Sequence, residues 1–156
     1  MQRAFVPAAL ALAACLASQA ALAAPTPQQQ NGVSYINGGV GQEEQSAMRA
    51  QRADYNLLLT FATRQSGAYR SDVQLDIVDA KGATLVSAAN TGPMFYARLP
   101  NGTYRISAAA GGKVFKRSVK IGGAAPKEMT LHWVNGKVHR QFDQVFHTRA
   151  IGGVVA

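Results

Sequence analysis

The chain has 156 residues, 47% of them hydrophobic and 15% charged, with a formal net charge of +8. That length suits a single domain with one continuous core, and the apolar content is too high for a wholly disordered chain. Past the N-terminus no apolar run reaches the roughly 18 residues of a spanning helix, which argues against an integral membrane protein.

Residues 1–23 read as a signal peptide. Arg3 supplies the positive start, Ala4 to Leu16 the apolar stretch, and Ala21-Leu22-Ala23 the small-x-small cleavage pattern. Pro7 and the Pro/Gln-rich tract that follows argue against a buried N-terminal helix. Leu12-Ala13-Ala14-Cys15 also fits a lipoprotein signal, with Cys15 lipidated. The apolar character runs on past Cys15 to Ala24, which favours ordinary cleavage after Ala23 and an exported, periplasmic or secreted protein. Cys15 is the only cysteine, so the cleaved chain has no thiol chemistry.

Residues 24–34 are largely polar and contain proline, and are expected to form a flexible lead. Within residues 35–53, Tyr35-Ile36 suggests a short strand, Gly38-Gly39-Val40-Gly41 a turn, and Gln42 to Ala53 a helix. Glu43 and Glu44 at its start and Arg49 and Arg52 near its end suit the helix dipole. About three turns long, it needs packing through Ala47 and Met48 to persist.

From Tyr55 the apolar period becomes two. Tyr55, Leu57, Leu59 and Phe61 alternate, as do Val73, Leu75 and Ile77, and then Phe95, Ala97 and Leu99. Tyr104, Ile106 and Ala108 follow, then Phe115, Val119 and Ile121, then Met129, Leu131 and Trp133. Turn signals such as Lys81-Gly82, Asn90-Thr91-Gly92-Pro93 and Gly111-Gly112 separate the runs. The pattern predicts an all-β domain over 54–143, an antiparallel seven-stranded β-sandwich preceded by one short helix. Arg117 breaks the inward alternation of its strand, which places that strand at an edge or a bulge. Residues 144–156 have no period and are expected to be a loose tail.

Leu99-Pro100-Asn101-Gly102-Thr103-Tyr104-Arg105-Ile106 resembles the L-P-x-G-x-Y-x-(I/V) signature of carboxypeptidase regulatory-like domains, which are transthyretin-like β-sandwiches. Pro-x-Gly makes a tight turn, after which Tyr104 packs inward beside Ile106. The segments 35–44 (YINGGVGQEE) and 48–59 (MRAQRADYNLLL) are similar to small exported bacterial proteins of that group. The resemblance spans roughly residues 35–134 and implies a non-catalytic folding or interaction module rather than a peptidase.

Catalytic constellations are sparse. No H-E-x-x-H, H-x-x-E or G-x-S-x-G occurs, and His132, His139 and His147 all lie near the C-terminal end. Transthyretin-like enzymes that open a purine-derived ring need a C-terminal Tyr-Arg-Gly-Ser, whereas this chain ends Ile-Gly-Gly-Val-Val-Ala. A phosphate loop at Gly38–Gly41 lacks the following Lys-Ser/Thr, and Glu43 and Glu44 occupy the helix start. No cofactor is expected. If Asn135-Gly136 is a hairpin turn, His132 faces His139 and the pair is a weak candidate for copper or zinc. Two ligands are too few for a committed site.

Charge is the remaining lead. Residues 24–90 carry five basic and six acidic side chains; residues 91–156 carry ten and two. Alternation points Tyr96, Arg98, Arg105, Lys116 and Lys120 outward, and neighbouring strands would gather them into one basic face. The expected function is a non-catalytic accessory module of the cell envelope. Its expected partner is an envelope protein or an anionic polysaccharide or lipid surface, in preference to nucleic acid. The alternatives are a hydrolase or metal-dependent enzyme whose site the fold assembles, or a weak copper- or zinc-binding protein.

Overall fold

The computed structural model describes residues 24–134, with nine strands and one helix among them. In chain order these are β1 (Gln28–Gln30), β2 (Val33–Gly38), α1 (Gln42–Ala50), a 3₁₀ turn (Arg52–Asp54), β3 (Leu57–Thr63) and β4 (Val73–Asp79). Then come β5 (Thr84–Thr91), β6 (Met94–Arg98), β7 (Gly102–Ala110), β8 (Lys113–Ile121) and β9 (Lys127–Trp133). They form two sheets, ordered β1-β2-β6-β3-β9 and β5-β4-β7-β8.

The alternating side chains meet between the sheets. Leu57, Leu59 and Phe61 from one sheet and Leu75, Ile77 and Ile106 from the other belong to the same buried cluster. Trp133 closes it, with Phe61 and Phe115 edge-on at centroid distances of 5.9 and 4.7 Å.

A second apolar cluster lies on the other side of the first sheet. Ile36, Leu58, Met94 and Tyr96 bury their side chains with Met48 of α1 and with Tyr55. The helix thus makes a third layer, and so short a helix depends on such packing to persist. Alternation had assigned Tyr55 to the same face as Leu57. The 3₁₀ turn ends there instead, and Tyr55 turns to the helix side.

Several expectations are corrected. The described residues hold nine strands: β3 to β9 fall within the span expected for the sandwich, where the alanine-rich, irregular β5 carries almost no period-two signal, and β1 and β2 before the helix add to the first sheet. The lead expected to be flexible contains β1, paired with β2 through a two-residue turn, Asn31-Gly32, in which both residues have positive φ. That Asn-Gly dipeptide is the strongest short-range hairpin signal and was readable. The sheets are not wholly antiparallel, since β9 runs parallel to β3. Residues 122–126 are too few to return along the sandwich. They cross from the end of β8 to the other sheet, so β9 starts beside the start of β3, with Lys127 N–H donating to the Asn56 carbonyl at 2.8 Å. The helix stops at Ala50 rather than Ala53.

Arg117 does sit on an edge strand. It faces Ile106 across β7 and β8 on the inward side, yet is exposed because β8 has no outer neighbour among the described residues. The signal peptide 1–23, the expected hairpin beyond Val134 and the tail 144–156 lie outside the described residues.

The glycine-rich stretch marks a close backbone approach. A Cβ on Gly92 would stand 2.5 Å from the Gly38 carbonyl oxygen, and one on Gly39, at φ +95°, would meet Met94 at 2.9 Å. Gly41 has no side chain to cap α1, so Glu44 reaches back and accepts the Val40 N–H at 2.7 Å.

Asn56 ties three strands together. Its Nδ2 donates to the Leu99 carbonyl at 2.7 Å and its Oδ1 accepts the Leu99 N–H at 2.8 Å, while its backbone holds Ala97 and Lys127. Substitution Asn56→Ala leaves both Leu99 groups without partners and is expected to destabilise the fold by about 2–4 kcal/mol. Chemical denaturation would read this as a lowered midpoint, and a loss under about 0.5 kcal/mol would show that water replaces the clamp.

Candidate functional site

On β7 the residues turned away from the core are Thr103, Arg105 and Ser107; on β8 they are Lys116, Ser118 and Lys120. The register sets them in rows across the second sheet. Asp76 of β4 lies beside Ser107, and Ser107 beside Lys116. Val78 lies beside Arg105, and Arg105 beside Ser118, while Thr103 faces Lys120 one rung further along.

A depression of about 470 Å³ is lined by Asp76, Val78, Arg105, Ser107, Lys116 and Ser118, with Thr84 at the β5 side and Ile106 and Arg117 completing the lining. That volume is in the range of small-ligand clefts. Ser87 Oγ donates to Asp76 Oδ1 at 2.6 Å and holds that carboxylate in place. Among the described residues Arg105, Lys116 and Lys120 form no ion pair; the ion pair found there is Arg52–Glu128, at 3.1 Å on the other sheet.

The expected five-residue face is therefore only partly assembled. Arg105, Lys116 and Lys120 share the outer side of the second sheet, although Lys120 opens into the adjoining depression beside Asn101 and Lys127. Arg98 and Tyr96 belong to β6, in the first sheet. Tyr96 does point away from the inter-sheet core, but α1 and Tyr55 cover it and it is buried. The missed signal was the unbroken apolar run Met94 to Ala97, together with Leu57-Leu58-Leu59, since a strand buried on both faces reads that way.

The other candidates lie apart from this face. His132 is exposed on β9 beside Ala62, on the first sheet, and His139 is outside the described residues. No group of three His, Cys, Asp or Glu side chains that could hold a metal occurs among the described residues. The depression at the start of α1, about 520 Å³, is lined by Glu43 and Glu44, so an anion there would face two carboxylates.

Alternation did not reveal the groups that fasten α1. Arg52 pairs with Glu128, and Arg49 Nη2 donates to the Tyr69 hydroxyl at 3.3 Å. The signature segment Leu99 to Ile106 supplies another tie, for Tyr104 is buried and its hydroxyl donates to the Pro100 carbonyl at 2.6 Å. No helix among the described residues is long and apolar enough to cross a membrane. Comparison with protein-family models, curated proteins and solved structures finds no match for this chain.

Burial raises the pKa of Tyr55, Tyr96 and Tyr104 above the ordinary phenol value of 10.0; for Tyr104, Asp79 adds to the shift. The unfolded chain therefore ionises these phenols first. Their contribution to stability is complete below pH 10 and is lost as pH rises through the folded values. Thermal unfolding measured from pH 9 to 11 is expected to show a falling Tm, with a shallower fall in the Tyr104→Phe variant. Equal slopes in the two proteins would remove Tyr104 from that account.

Proposed function

We propose that this protein is a small exported accessory module of the cell envelope that works by surface contact rather than catalysis. Its sandwich is of the carboxypeptidase regulatory-like, transthyretin-like kind, on the resemblance of Leu99 to Ile106. The binding face is the outer side of β4, β7 and β8. One observation carries this reading: Arg105, Lys116 and Lys120 share a face with no further layer of the described residues over it, and form no ion pair there. Cations left free of carboxylates project a positive potential that draws in anions.

Export, inferred from residues 1–23, makes anionic polysaccharide or lipid of the envelope the first such partner the protein meets. Nucleic acid is disfavoured because the depression contains no aromatic side chain on which a base could stack. His132 and Asp76 stand on different sheets, so these two residues make no acid–histidine pair at the depression. Lysines on an edge strand also deter edge-to-edge pairing, which is the structural role that Lys113, Lys116 and Lys120 have in any case.

Charge reversal at Arg105 and Lys116 together (R105E/K116E) is expected to lower retention on isolated anionic envelope material at least tenfold. Both residues are exposed, so stability should change by no more than about 0.5 kcal/mol per site. Co-sedimentation at low and high salt, with thermal unfolding in parallel, measures both. Unchanged retention would overturn the binding assignment.

A further inference from the structure

The polar groups of the depression are sorted by sign. Arg105 and Lys116 stand on the β7–β8 side and Asp76 on the β4 side; the Ser107 hydroxyl lies between Asp76 and Lys116, and Ser118 lies on β8 beside Arg105. Asp76 and Lys116 lie in one row two strands apart, a span of about 10 Å. Ser87 engages only Oδ1 of Asp76, and Oδ2 accepts no hydrogen bond among the described residues.

This arrangement narrows the ligand chemistry. A phosphodiester chain or lipid headgroup brings negative charge and few donors, so Asp76 repels it. A zwitterion would suit Asp76 but carries no net charge, and the cationic residues of the lining, Arg105, Lys116 and Arg117, outnumber the one carboxylate. A ligand with carboxylates at one end of each unit and hydroxyls elsewhere satisfies both sides, because a hydroxyl can donate to Asp76 while exchanging bonds with serine. Val78 offers the apolar patch against which ring carbons rest.

We propose that the depression is a subsite for one or two units of a carboxylate-bearing glycan. The sugar carboxylate sits on Arg105 and Lys116, and ring hydroxyls reach Asp76, Ser107 and Ser118. The assignment rests on the anion-binding reading of this face and names the ligand class within it.

The test uses the purified protein with four probes: trigalacturonate, its methyl ester, poly-glutamate, and vesicles containing phosphatidylglycerol. Titration calorimetry and vesicle co-sedimentation give the affinities. Trigalacturonate is expected to bind and its methyl ester not. Asp76→Asn should weaken trigalacturonate roughly tenfold, the value of one hydrogen bond to a charged group, while vesicle binding stays equal or tightens because a repelling charge is gone. Ser118→Ala, which leaves the Asp76–Ser87 bond intact, should weaken trigalacturonate several-fold and serves if Asp76→Asn unfolds. Binding of vesicles or poly-glutamate at least as tight as that of trigalacturonate, or no effect of either substitution, overturns the glycan assignment while the anionic-face reading survives. If no anion binds, or R105E/K116E binds every probe as well as the native chain, the anionic-face reading falls as well.

Discussion

The arrangement depends on one constraint: the central strands β3 and β6 are apolar on both faces. Leu57, Leu59 and Phe95 need a cover on one side, and Leu58, Met94 and Tyr96 need a cover on the other. Each large side chain contributes about 1.5–3 kcal/mol when fully buried, so neither face can remain in water. The second sheet covers one face and α1 covers the other. With those layers placed, the outer side of the second sheet is left as a polar surface, and the candidate site follows from what is left uncovered.

Close approaches and clamps hold the layers in register. The backbone of β2 passes against Gly92 where a side chain would collide with the Gly38 carbonyl. Asn37 Oδ1 accepts the Gly92 N–H at 2.7 Å and fixes that crossing. At the opposite end Asn56 joins the starts of β3 and β9 to the end of β6. These polar ties lie at the margins of the core, where a hydrogen bond can be partly shielded without leaving any group unsatisfied.

The same geometry separates two kinds of charge. Arg49 on α1 and Arg52 in the 3₁₀ turn after it are already engaged, by Tyr69 and Glu128, and serve to fasten the helix. Arg105 and Lys116 are paired with no acid among the described residues and stand over a hollow lined by hydroxyls and by Asp76. Counting basic residues in the C-terminal half detected the asymmetry but could not distinguish a tether from a free cation, because that depends on which strand lies alongside. Arg98 and Tyr96 show the cost of that gap. Their alternation was read correctly, but their strand belongs to the other sheet.

Local chemistry was legible in the residues themselves: the period of two, the turns, the edge position of Arg117, the short helix and its acidic start. Those features depend on side-chain direction and backbone preference within a few positions, which neighbouring residues set. The pairing of β6 with β2 and β3, the parallel course of β9 and the burial of Tyr96 beneath α1 were decided only by the tertiary structure. Each turns on contacts between segments distant along the chain, where alternation says that a residue faces outward but cannot say what, if anything, lies over it.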